Sequence, residues 1–127
     1  MIKLNILPSI RTNNFEDLGQ KIISHWNNFL KLNLSSDIVY AIYFNYDYNY
    51  KGNYDFSIGI TTLFSNSLPF EIPDLNFKIF SCKQSELLEK WKEIWELEEN
   101  NKLDRIYKVD FEKHYGDGTV DIYISVK

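Results

Sequence analysis

The chain repeats itself. Ile38-Val39-Tyr40-Ala41-Ile42-Tyr43-Phe44-Asn45 aligns with Arg105-Ile106-Tyr107-Lys108-Val109-Asp110-Phe111-Glu112, with Tyr on Tyr, Ile on Val and Phe on Phe. Further on, Tyr54-Asp55-Phe56-Ser57-Ile58-Gly59-Ile60 aligns with Val120-Asp121-Ile122-Tyr123-Ile124-Ser125-Val126, Asp on Asp and the apolar alternation in step. A tryptophan in a helical pattern precedes each strand pair, Trp26 and Trp91. Three landmarks in one order mark a supersecondary unit used twice. At 127 residues the prior is one domain over 1–127, with pseudo-repeats of about 1–66 and 75–127.

Local patterns define the unit. Residues 3–12 read as a strand interrupted at Pro8, where a bulge or an edge is expected because proline cannot donate to a ladder. Asn14 offers an N-cap to a helix over 15–32, with Glu16 and Asp17 in its first turn and Phe15, Leu18, Ile22, Trp26, Phe29 and Leu30 at helical spacing. Strands follow at 38–46 and 54–63, joined by a polar hairpin loop containing Gly52. A loop with Pro69 and Pro73 joins the halves. The second unit has a strand at 77–82, a helix at 84–97 capped around Ser81 to Ser85, and strands at 105–114 and 119–126 around a Gly116-Asp117-Gly118 turn. The architecture is (βαββ)₂, an α+β fold in which a curved antiparallel sheet system packs on two helices.

Charge and composition narrow the function. A net charge of −4 with scattered basic residues gives no Lys/Arg stripe for phosphates, so no direct nucleic-acid binding is expected. The single cysteine, Cys82, cannot form an internal disulfide or a structural zinc site. No apolar run suits a signal peptide or a membrane span, so the reading is cytoplasmic with no membrane partner. Aromatics make up 17%, more than so small a core needs, and some are expected to line a pocket. No nucleophile elbow, Walker loop or dinucleotide fingerprint occurs, and no cofactor is implied. Asp110-x-Glu112-x-His114 on one strand does not make a metal site, and Cys82 with either histidine is read as filler rather than a nucleophile pair.

Several segments carry a family resemblance. These are Ile10-Arg11-Thr12-Asn13-Asn14 with Trp26 and Phe29, Tyr40-Ala41-Ile42-Tyr43 with Tyr46, Asp47, Gly52 and Tyr54, and Trp91 to Trp95 followed by Arg105, Tyr107, Asp110-Phe111-Glu112 and 120–126. In order and spacing they resemble the GyrI-like (AraC-type) effector-binding domain, in its stand-alone, integron-cassette-type form. The resemblance covers nearly the whole chain. It implies a groove between two βαββ halves that binds small, often cationic and aromatic molecules, with Glu112 as the acidic residue at its base. It also implies alternatives: a small hydrolase on the same fold using Glu112 as general base, or a protein-contact inhibitor of a topoisomerase. The leading expectation is non-enzymatic binding of a small amphipathic ligand, with any protein partner unknown.

Independent of family, a carboxylate among aromatic walls offers a cation both a countercharge and π-faces. Strand parity puts Tyr107, Val109 and Phe111 on the helix-packing face and Lys108, Asp110, Glu112 and His114 on the other. The expected pocket floor is Glu112, Asp110, Tyr43 and Tyr123. Trp91 and Trp95 lie one helical turn apart and join the candidate ligand-binding set, Trp95 as a ligand wall and Trp91 nearer the core.

Overall fold

The computed structural model describes residues 1–127, apart from the side chain of Leu18. The elements run β1 (Ile2–Ile6), β2 (Ile10–Thr12), α1 (Gln20–Leu30), β3 (Ile38–Phe44), β4 (Tyr54–Ile60), β5 (Leu68–Ile72), β6 (Asn76–Lys83), α2 (Leu87–Glu99), β7 (Val109–Tyr115) and β8 (Thr119–Val126). One antiparallel sheet has the order β5-β1-β4-β3-β7-β8-β6, with β2 also on β4. The two halves meet where β3 pairs β7, with Ala41 opposite Glu112 and Tyr43 opposite Asp110.

The interruption at Pro8 is a bulge. β1 and β2 both pair β4, and between Ile6 and Ile10 the first strand spends one residue more than its partner spends between Gly59 and Phe56. Gly59 permits this approach, since a Cβ there would lie 2.5 Å from the Asn5 carbonyl oxygen.

The joining segment is not only loop. Leu68–Ile72 forms β5 against β1, at the sheet edge where Pro69 costs no ladder bond. The first helix also starts later than its apolar spacing predicts. A 3-10 turn covers Glu16–Gly19, Gly19 turns left-handed at φ +77°, and α1 begins at Gln20. Asn14 does not cap it; its side chain bridges the Tyr50 carbonyl and the Tyr54 hydroxyl instead. Phe15 and Leu30, expected on the buried face, are exposed, and the Leu18 side chain lies outside the described residues. Glu86 caps the second helix region by accepting from the Lys83 amide at 3.0 Å. β7 begins at Val109, because Tyr107 sits at φ +56° and ends any extended run there.

Both faces of the sheet are covered. On one face α1 packs Phe29 on Tyr54, Phe56 and Ile58, and α2 packs Ile94 on Val120, Ile122 and Ile124. On the other face the sheet curls over itself: Phe44 of β3 meets Phe70 of β5 at 4.7 Å between ring centroids, although two strands separate them. That curl buries Leu4, Ile6, Ile42, Ile72 and Phe111 without a helix.

The parity expectation is therefore corrected. Val109 and Phe111 belong to the curled face, and Asp110, Glu112 and His114 look toward the helices. Tyr123 pairs Phe111 across the ladder and stacks on it at 4.5 Å and 11°, so it stands on the face away from Glu112. Among the described residues no helix is long and apolar enough to cross a membrane.

Candidate functional site

The helices lie over the outer strands of their halves and leave the central pair, β3 and β7, without a helix on top. Over that seam lies a cavity of about 520 Å³. Tyr43 and Glu112 line its floor, Ile22 and Ile23 of α1 one wall, and Trp91 and Trp95 of α2 the other. Ala41, directly opposite Glu112 in the ladder, adds little bulk beside it.

Glu112 is 1% exposed and accepts from three side chains. Its Oε2 receives the Tyr43 hydroxyl at 2.8 Å and the Trp91 indole N–H at 2.7 Å. Its Oε1 lies 2.7 Å from His114 Nε2. Tyr43 and Trp91 are neutral donors: burial, then the Glu112 charge, hold the Tyr43 phenol well above its ordinary pKa. Burial raises Tyr54 in the same wall likewise.

Asp110, two residues away and fully buried, is held differently. Its Oδ2 accepts from Arg105 Nη2 at 2.7 Å and from the Tyr46 hydroxyl at 2.6 Å; its Oδ1 accepts from the Ser125 amide and hydroxyl at 2.8 and 3.0 Å. Burial, the largest single influence, depresses the Arg105 guanidinium, but Asp110 together with Tyr46 and Tyr107 outweighs it and the pKa is raised. Asp110 is thus neutralised by a fixed cation, whereas Glu112 has only His114, which is charged only when protonated.

The hairpin loop 47–53 reaches over this site. The Tyr50 ring lies flat on Trp95, with centroids 5.2 Å apart and planes at 9°, and its hydroxyl donates to Glu99 at 2.7 Å. That bond, ahead of burial, pushes the Tyr50 phenol up to about 12. Ile23 and Leu88 are exposed apolar side chains of the lining, and Phe15, also exposed, lies 6.0 Å from Trp95 between ring centroids.

Of the six residues singled out from sequence, Glu112, Tyr43, Trp91 and Trp95 come together around the cavity. Asp110 is taken up by Arg105, and Tyr123 faces away. Sequence reasoning missed Tyr46, Tyr50, Tyr54, Arg105 and His114 as parts of this network. The signal was the run of tyrosines at 43, 46, 50 and 54 through one hairpin, which exceeds what two strands and a loop require.

A family model described as Cass2, integron-associated effector binding protein, matches residues 8–126. No match is found among curated proteins. A solved structure, the integron cassette protein VCH_CASS2 from the mobile metagenome of Vibrio cholerae, superposes with a TM-score of 0.84 at 23% identity, covering 99% of this chain and 90% of that one.

Proposed function

The chain belongs to the Cass2 family of integron-associated effector-binding proteins, and from that premise we propose that its cavity takes up a small amphipathic, cationic and aromatic molecule without transforming it, with Glu112 as the countercharge. One observation carries this reading. Glu112 is a buried carboxylate at the base of an aromatic cavity, its neighbours Tyr43 and Trp91 are neutral donors and His114 offsets its charge only when protonated, while the adjacent Asp110 already has Arg105. A cation entering the cavity gains an unspent negative charge in a dry setting together with the faces of Trp91 and the tyrosines. The halves, about 1–66 and 75–127, then act as one binding unit over 1–127, each giving one helix to the walls.

The hydrolytic alternative needs Glu112 to hold and deprotonate a water. Three of its lone-pair directions are already taken by Tyr43, Trp91 and His114, which leaves little room for that task. The topoisomerase alternative draws only on the net charge of −4.

The test is Glu112→Gln, with titration calorimetry against the cationic dye rhodamine 6G and a neutral aromatic of similar shape. The substitution keeps size and removes charge. Cation binding is expected to weaken by about 1.5–3 kcal/mol, the range for a charge-assisted contact, and neutral binding to change little. Equal loss for both ligands, or no loss for the cation, refutes the countercharge role. Wild-type turnover of an ester that Glu112→Gln abolishes would put the hydrolase in its place.

A further inference from the structure

We infer that the same cavity has a second polar pole, formed by the Trp95 indole N–H and the unspent N–H groups of Arg105, which receives a hydrogen-bond acceptor carried by the ligand. The inference rests on the cation reading and sharpens it. The ligand class becomes an aromatic cation that also bears an ester, an amide carbonyl or a carboxylate.

Trp95 Nε1, Arg105 Nε and Arg105 Nη1 are shielded from solvent and meet no hydrogen-bond acceptor among the described residues. Arg105 spends Nη2 on Asp110, and its Nη1 lies 3.6 Å from Glu98 Oε1, within ion-pair reach but beyond a hydrogen bond. The Arg105 side chain is only 2% exposed. A buried N–H without a partner loses its hydration and gets nothing back, so such groups are rare in folded proteins. Here the three fall on two side chains that line one cavity, while the other buried polar groups of that cavity, Glu112 and Tyr43 among them, are satisfied. That clustering is the mark of a binding site rather than of scattered packing defects.

The two poles differ in sign. Glu112 offers an acceptor and a negative charge; Trp95 and Arg105 offer donors only. The cover over Trp95 is Tyr50, whose hydroxyl donates to Glu99 at the surface, whose carbonyl accepts from Asn14 and whose amide donates to the Tyr107 hydroxyl, the last two bonds partly buried. Lifting that one loop opens the indole, so a ligand gains the Trp95 donor against the loss of three hydrogen bonds and one ring stack. A cation with a wholly apolar body gains only the Glu112 end and leaves the donors unpaired.

Tetramethylrhodamine methyl ester and tetramethylrosamine test this directly. They share the xanthylium cation and differ in the ester. Wild-type protein is expected to bind the ester dye about five- to tenfold more tightly, the worth of one net hydrogen bond. Trp95→Phe, which keeps a ring and removes the N–H, is expected to narrow that gap. Glu112→Gln is expected to weaken both dyes alike and preserve it. On wild-type protein, with the three indole resonances assigned by NMR, the Trp95 N–H proton is expected to move downfield with the ester dye and not with the rosamine. Equal affinities, a gap unchanged in Trp95→Phe, or an indole proton that responds alike to both dyes overturns the acceptor pole and leaves the cation reading standing. Failure of wild type to bind either dye removes the cation reading and this inference with it.

Discussion

Asp110 and Glu112 lie two residues apart on one strand face, both buried, and the structure predicts opposite consequences for neutralising them. In Asp110→Asn the amide must meet donors on both sides: Arg105 and Tyr46 on one oxygen, the Ser125 amide and hydroxyl on the other. An amide has one acceptor atom, so its NH₂ is forced against an N–H, and Arg105, at 2% side-chain exposure, loses its close countercharge and keeps only the longer 3.6 Å pair with Glu98. Breaking a buried pair in this way costs about 3–5 kcal/mol. For a chain of this length that corresponds to a fall in Tm of roughly 10–20 °C. In Glu112→Gln the amide oxygen can still accept from Tyr43 and Trp91. Its NH₂ can donate to His114 Nε2 once that ring carries its proton on Nδ1. The stability change is therefore expected to stay below about 1.5 kcal/mol. Urea unfolding followed by circular dichroism at neutral pH gives both numbers. If Asp110→Asn leaves the midpoint in place, or Glu112→Gln destabilises as much as Asp110→Asn, the division into a structural and a ligand-facing carboxylate is wrong.

Gly59→Ala is expected to destabilise by about 1–3 kcal/mol in the same assay, because its Cβ meets backbone at 2.5 Å and the Ile6 side chain at 2.6 Å; an unchanged midpoint would show that β1 can retreat freely. Burial lowers the His25 pKa from its ordinary 6.5, so the native state binds fewer protons than the unfolded chain just below that value, and stability should fall as pH drops from above 6.5 toward the folded pKa. Proton NMR titration of His25 checks the direction, and a value above 6.5 contradicts it. Duplex DNA is expected to give no gel shift at physiological salt, and a salt-sensitive shift at submicromolar protein overturns that.

The sequence made the strands and the central carboxylate legible because periodicity and order carry them. The repeat and the family resemblance single out Glu112, Tyr43, Trp91 and Trp95, and the structure brings those four side chains around one cavity. Parity failed for a physical reason. Apolar alternation shows that Val109 and Phe111 are buried, but not whether a helix or the curled sheet buries them, and here it is the sheet. With that inverted, parity puts Tyr123 on the Glu112 face, whereas the ladder sets it opposite Phe111. Arg105 was illegible as Asp110's partner because an irregular segment with Tyr107 at φ +56° folds it back, and no periodic pattern announces such a turn. β5 was hidden by Pro69, which reads as a breaker until its strand is known to be an edge.

The stack of Tyr50 on Trp95 also makes the molecule its own optical instrument. Two of the three tryptophans line the cavity, and the third, Trp26, packs on His114, with ring centroids 4.8 Å apart. An aromatic guest that lifts Tyr50 exchanges one ring over the Trp95 indole for another, while Trp91 feels any change at the carboxylate it donates to. Arrival at either end of the cavity is thus written into the near-ultraviolet emission of the unlabelled chain. With Trp91 or Trp95 replaced in turn by phenylalanine, each remaining cavity indole watches one end alone.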